Sequence, residues 1–197
     1  MRKWHIFIGI IAFILFLSGC NKLPIETNMS ENVAEFSFTT QDNQTLSLAD
    51  LSGEWWIADF IFTNCETVCL PMTSNMAALQ KELESEDIQI QFVSFSVDPD
   101  YDTPEVLTEY GEQYDADFSN WSFLTGYDFQ EVKELSIKSF RAPLQAPDYG
   151  SDQVMHDTRF FLVNPEGKII KGYDGVQAKS MSEIIDDLKA LQTEGLL

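Results

Sequence analysis

The stretch Trp55-Trp56-Ile57-Ala58-Asp59-Phe60-Ile61-Phe62 is nearly unbroken apolar sequence, and it stops at Thr63-Asn64-Cys65. A strand with one wet face alternates in polarity, so a run of this kind predicts a strand buried on both faces near the centre of a sheet. Shortly afterwards, from Met72 to Glu84, the spacing becomes helical, with Met72, Met76, Leu79 and Leu83 on one stripe. Cys65 and Cys69 therefore fall between the C-terminal end of a central strand and the start of a helix, the place where ligands gather in open α/β sheets.

The rest of the chain supplies matching elements. Phe36-Ser37-Phe38-Thr39 and Thr45-Leu46-Ser47-Leu48 alternate around Asp42-Asn43 and predict an N-terminal β-hairpin at a sheet edge. A strand over Ile88–Val97 precedes a helix over Pro104–Tyr114, with Thr103 as N-cap and Pro104 at its first position. Trp121–Leu124 reads as a short strand, and Asp128 with Glu131 as a capping box opening a helix through Phe140. Strands over Arg159–Val163 and Lys168–Tyr173 flank the turn Asn164-Pro165-Glu166-Gly167, and Ser180 with Glu183 predicts the cap of a last helix to Leu191. Strand, helix, strand, helix, then a closing hairpin and helix is the thioredoxin arrangement: an α/β, thioredoxin-like fold with an added N-terminal β-hairpin.

At the N-terminus Arg2 and Lys3 precede the apolar run Ile6–Leu17, which is shorter than the ~18 residues of a membrane span and ends in small residues. Residues 1–19 read as an export signal. The junction Leu17-Ser18-Gly19-Cys20 resembles the lipobox of bacterial lipoproteins, which implies that Cys20 is lipidated and begins the mature chain. A retained anchor helix with an incidental Cys20 is the alternative. Both readings place the domain at the outer face of the cytoplasmic membrane. Residues 20–35, polar and containing Pro24 and Asn28, read as a tether, and residues 36–197 as the domain. With 44% hydrophobic and 13% aromatic residues, the chain has ample material for one core. Loss of residues 1–19 leaves 10 basic residues against 32 acidic, a formal charge of −22. That excess excludes nucleic acid and other polyanions as partners.

Two thiols and one imidazole then remain for chemistry: Cys65, Cys69 and His156, since His5 lies in the signal. A staple between Cys65 and Cys69 would close a very small loop and stabilise little. Cys-x-x-x-Cys spacing suits two sulfurs converging on one metal, and it also suits a redox couple. A helix start is expected to lower thiol pKa in either role. His156 precedes the strand Arg159–Val163, on a loop that in a thioredoxin fold faces the cysteines. Two thiolates with one imidazole suit Cu(I) or Cu(II), whereas structural zinc wants a fourth protein ligand.

Three blocks carry a family resemblance: Phe62-Thr63-Asn64-Cys65 through Cys69-Leu70-Pro71-Met72; Ser96-Val97-Asp98-Pro99 with Asp102-Thr103-Pro104-Glu105; and His156-Asp157-Thr158 running into Phe161–Gly167. In these the chain resembles the Sco/SenC family of copper-binding assembly factors. The resemblance implies a thioredoxin fold, copper held by Cys65, Cys69 and His156, and service to the CuA-bearing subunit of cytochrome c oxidase; a monomer is expected. Many members have proline directly after each cysteine; here Glu66 and Leu70 stand there. The rival reading is a thiol-disulfide oxidoreductase in which Cys65 attacks and Cys69 resolves. It lacks the proline that redox members of the fold place before the strand facing the cysteines, because none occurs between Pro147 and Pro165. Asp98, Asp100 and Asp102 with Glu109 imitate a calcium loop, but Thr103 stands where its glycine is required, so calcium is not expected.

Overall fold

A computed structural model describes residues 23–65 and 69–197. Residues 1–19, read above as an export signal, Cys20 and Glu66 lie outside the described residues. Seven strands form one sheet: β1 (Ser37–Thr40), β2 (Thr45–Ser47), β3 (Trp56–Ile61), β4 (Gln91–Ser96), β5 (Trp121–Thr125), β6 (Arg159–Val163) and β7 (Ile169–Asp174). The helices are α1 (Cys69–Ser85), α2 (Pro104–Gln113), α3 (Phe129–Phe140) and α4 (Lys179–Thr193). The sheet order is β2-β1-β5-β4-β3-β6-β7, with β3, β4 and β5 parallel and the outer strands antiparallel. The thioredoxin-like α/β architecture is thus as expected, and the N-terminal hairpin forms one edge.

All six residues of β3 are buried, which explains its unbroken apolar run. Its side chains alternate between two cores. Trp56, Ala58 and Phe60 join Phe95, Phe140 and Phe161 beneath α3, while Ile57 and Ile61 join Met72, Met76 and Leu79 of α1 and Leu188 of α4. Each large apolar chain removed from water contributes about 1.5–3 kcal/mol, so these two layers fix where β3 ends and hence where Cys65 begins.

The local signals behave as their chemistry dictates. Thr103 caps α2 through the Val106 N–H with Pro104 following, and Asp128 and Glu131 exchange both bonds of a capping box at 2.9 Å. In the β6–β7 turn the Gly167 N–H donates to the Asn164 carbonyl at 2.9 Å, with Gly167 at φ 73°, a left-handed value that favours glycine.

Three expectations are corrected. The helix after the cysteines includes Cys69 rather than beginning at Met72; Pro71 is tolerated because the first turn needs no N–H partner. Ser180 does not cap α4, which begins at Lys179: the Asp174 carboxylate closes the preceding loop on the Val176 and Gln177 N–H groups, and Glu183 is drawn to Lys171 at 2.8 Å. The supposed tether is docked from Leu23 onward. Ile25 and Val33 are buried, the Asn28 and Met29 N–H groups donate to the Ile170 carbonyl, and the Ile169 N–H donates to the Glu31 carbonyl. Packed structure thus starts well before Phe36, and the segment covers the otherwise open edge of β7.

Candidate metal centre

β3 delivers Cys65 to the C-terminal edge of the sheet, where two buried groups hold the connecting residues. The Asp102 carboxylate, fully buried, accepts from the Thr63 and Ser96 hydroxyls, each at 2.5 Å, and from the Thr63 N–H at 3.3 Å. Asn64 is tied across the opening, its Nδ2 donating to Asp152 at 2.7 Å while Gln153 Nε2 donates to the Asn64 carbonyl at 3.0 Å. The acidic stretch that imitates a calcium loop therefore turns one carboxylate inward as a loop clamp.

α1 presents Cys69, whose N–H donates to Cys65 Sγ at 3.4 Å. No disulfide joins the two cysteines, and both are buried. The expectation of a lowered thiol pKa is corrected for Cys69: a hydrogen bond with Cys65 and then burial push its thiol well above the ordinary value. The helix start does not prevail because two adjacent sulfurs share one proton-binding site and water is excluded.

The loop entering β6 supplies His156. Its Nε2 lies 3.1 Å from Cys69 Sγ, and its Nδ1 lies 2.8 Å from the Asp157 carbonyl. A carbonyl only accepts, so Nδ1 carries the proton and Nε2 keeps its lone pair toward the sulfurs. Phe62 packs edge-on against the ring at 5.7 Å between centroids. Arg159 grips Asp157 with its backbone N–H, Nε and Nη2, at 2.7–2.9 Å, and so fixes the carbonyl that orients the imidazole.

Cys65 Sγ, Cys69 Sγ and an imidazole nitrogen lie within 4.8 Å of one another. A metal about 2.3 Å from each sulfur and about 2.0–2.1 Å from nitrogen needs donors no more than about 4.6 Å apart, so contraction by a few tenths of an ångström suffices. The set fits a soft, low-coordinate ion, and the three predicted residues are those the fold brings together.

Two roles escaped the sequence. Asp102 stands there only in a calcium-loop imitation and a resemblance block, and its clamping role gave no local signal because its partners lie on β4 and beyond β3. Asp59 did give one, being the lone charge in the β3 run. It is completely buried, and neither carboxylate oxygen has a hydrogen-bond partner among the described residues. Its register partner Ser94 accepts from the Trp121 indole instead. Burial raises the Asp59 carboxyl to about 7, only partly offset by Ser94 and by His156, which is near enough to act on it electrostatically.

A family model described as SCO1/SenC matches residues 25–193. A SCO1 protein homolog of Bacillus subtilis (strain 168) is 46% identical over 179 residues, covering 91% of this chain and 92% of its own length. The structure of BsSco, a member of the Sco family of cytochrome c oxidase assembly proteins in which a disulfide switch was identified, is similar with a TM-score of 0.77 and 45% identity, covering 86% of this chain and 98% of that one. Yeast Sco1 with copper bound is similar with a TM-score of 0.65 and 26% identity, covering 81% of this chain and 89% of that one.

Proposed function

This chain belongs to the SCO1/SenC family, and from that premise we propose that it carries copper as cargo on Cys65, Cys69 and His156, and delivers it to, or prepares the thiols of, the CuA centre of cytochrome c oxidase. One observation carries the reading: two sulfurs and one imidazole nitrogen converge within 4.8 Å. Sulfur-rich donors with one imidazole suit Cu(I) and also accommodate Cu(II). Yeast Sco1, a relative, holds copper, and BsSco is an oxidase assembly protein.

The chain's own residues perform three tasks in this reading. Cys65 and Cys69 give up their protons as the metal is loaded, so uptake is favoured by rising pH. Arg159, Asp157 and Phe62 hold the imidazole in the tautomer that leaves Nε2 as a donor. The Asp102 clamp keeps the chain leading to Cys65 in place before the metal arrives. The protein works as a monomer, held by lipid on Cys20 at the outer face of the cytoplasmic membrane; the Leu17–Cys20 sequence supports that placement. Its strong negative charge keeps the body of the domain off anionic lipid.

A second reading, a thiol-disulfide oxidoreductase, is favoured by the two cysteines being adjacent thiols rather than a closed bridge. In it Cys65 attacks a partner disulfide, Cys69 displaces the partner from the mixed disulfide, and two electrons pass from this chain to the partner.

Copper titration of the reduced protein beside Cys65→Ser and His156→Ala tests the first reading. Each variant should lose affinity by more than the roughly 10- to 100-fold typical of outer-shell changes. Parent-like copper binding by His156→Ala would remove the imidazole from the site. In cells lacking the protein, oxidase assembly rescued by a variant that cannot bind copper but still cycles its thiols would select the second reading.

A further inference from the structure

The segments around the Cys65–Cys69–His156 site carry most of the large apolar side chains exposed among the described residues. Six large hydrophobic side chains stand out in solvent among the described residues, and four of them are Leu70, Tyr101, Tyr149 and Met155. Leu70 follows Cys69 on α1, and Met155 precedes His156. Tyr149, fully exposed, is carried at the tip of the same loop, whose limbs pair at Gln145 and Met155. Tyr101 sits in the turn whose Asp102 clamps Thr63. A solitary exposed apolar residue is ordinary, but here four stand on the three segments that carry Cys69, His156 and the Asp102 clamp. Aromatic residues and methionine are also the types enriched at protein interfaces.

Asp98, Asp100 and Asp152 lie on two of these segments. Burial, then Asp100 and Asp152, push the Asp98 carboxyl upward, which puts the three within electrostatic reach of one another. None of the seven ion pairs among the described residues includes any of them. Such a field repels nucleic acid and anionic lipid and attracts a cationic surface.

We infer that this face is the docking surface for a protein that presents lysines or arginines around an apolar contact beside its own metal-accepting groups. The aspartates steer the encounter; Leu70, Tyr101, Tyr149 and Met155 make the contact that lasts. The identity of the partner rests on the delivery reading above, whereas the face and its charge do not.

The test uses the full chain in detergent, loaded with copper, and purified oxidase stripped of CuA copper, with association and copper transfer followed separately. For the parent, raising salt from about 20 to about 300 mM should slow association roughly tenfold or more. Asp100→Lys should slow it roughly tenfold at low salt and flatten the salt dependence. The double variant Tyr101→Ser/Tyr149→Ser, neither residue touching a ligand, should keep its copper content yet dissociate roughly tenfold faster, since contact residues govern the off-rate. Association by both variants indistinguishable from the parent overturns the docking face and leaves delivery standing. Salt-dependent association that the variants weaken, without copper transfer by the parent, overturns delivery and supports the face. No association of the parent with the oxidase overturns both.

Discussion

Two carboxylates near the site are both shut away from water, yet they are treated in contrary ways. Asp102, beyond the end of β4, accepts from three donors, two hydroxyls and one N–H, of Thr63 and Ser96. Asp59, in the middle of β3, takes none. Burial pushes both upward; the hydroxyls of Ser96 and Thr63 oppose it at Asp102, and Ser94 and His156 oppose it at Asp59, whose carboxyl still reaches about 7. A paired carboxylate rigidifies what it touches, and a bare one is costly because its charge has no compensation. The molecule therefore spends its hydrogen bonds on the backbone that leads to Cys65. Within reach of Cys69 and His156 it leaves a group whose proton is loosely held near neutrality.

The sharpest way to break this contrast is Asp59→Asn, followed by denaturation of the reduced, metal-free protein across pH. Between its ordinary value of 3.8 and about 7, folded Asp59 keeps a proton that the unfolded chain has released. The folded state then binds more protons, so stability falls as pH rises through that window, by as much as about 4 kcal/mol when complete. The asparagine variant should lack this slope and be the more stable protein at pH 8. Parallel pH profiles for the two proteins would mean that Asp59 has a partner after all.

Asp102→Ala should be smaller in effect and opposite in sign. It strands two hydroxyls and an N–H in a buried setting, costing about 2–4 kcal/mol. Amide exchange at Thr63 should quicken in the same variant, since the clamp is gone; unchanged exchange there would show that the loop is held by something else. Thr63→Val removes one hydroxyl and keeps the N–H bond, and should cost about 1 kcal/mol. A loss as large as that of Asp102→Ala would place the whole effect on the 2.5 Å Thr63–Asp102 bond.

Much of this was legible in order of residues. The β3 run, the α1 stripe, the Thr103 and Asp128 caps and the Asn164–Gly167 turn are local signals, set by side-chain period, cap chemistry and backbone freedom within a few positions. They were enough to put Cys65, Cys69 and His156 at one edge of the sheet. Where the reading missed, the deciding partner was distant. Ser180 and Glu183 make a plausible cap until Lys171 claims Glu183. Residues 23–35 look like a tether until the open edge of β7 offers backbone partners to Asn28, Met29 and Glu31.

By itself, then, the sequence determined most of the element order and singled out Cys65, Cys69 and His156 as the candidate residues that the fold brings together, because periodicity, caps and cysteine spacing are properties of neighbouring residues. Only the tertiary structure decided that Nε2 meets the sulfurs, that Asp102 is clamped while Asp59 stays bare, and that exposed apolar side chains stand on the segments around the site. Distance, burial and dielectric are fixed by which segments are packed together, and no single segment contains them.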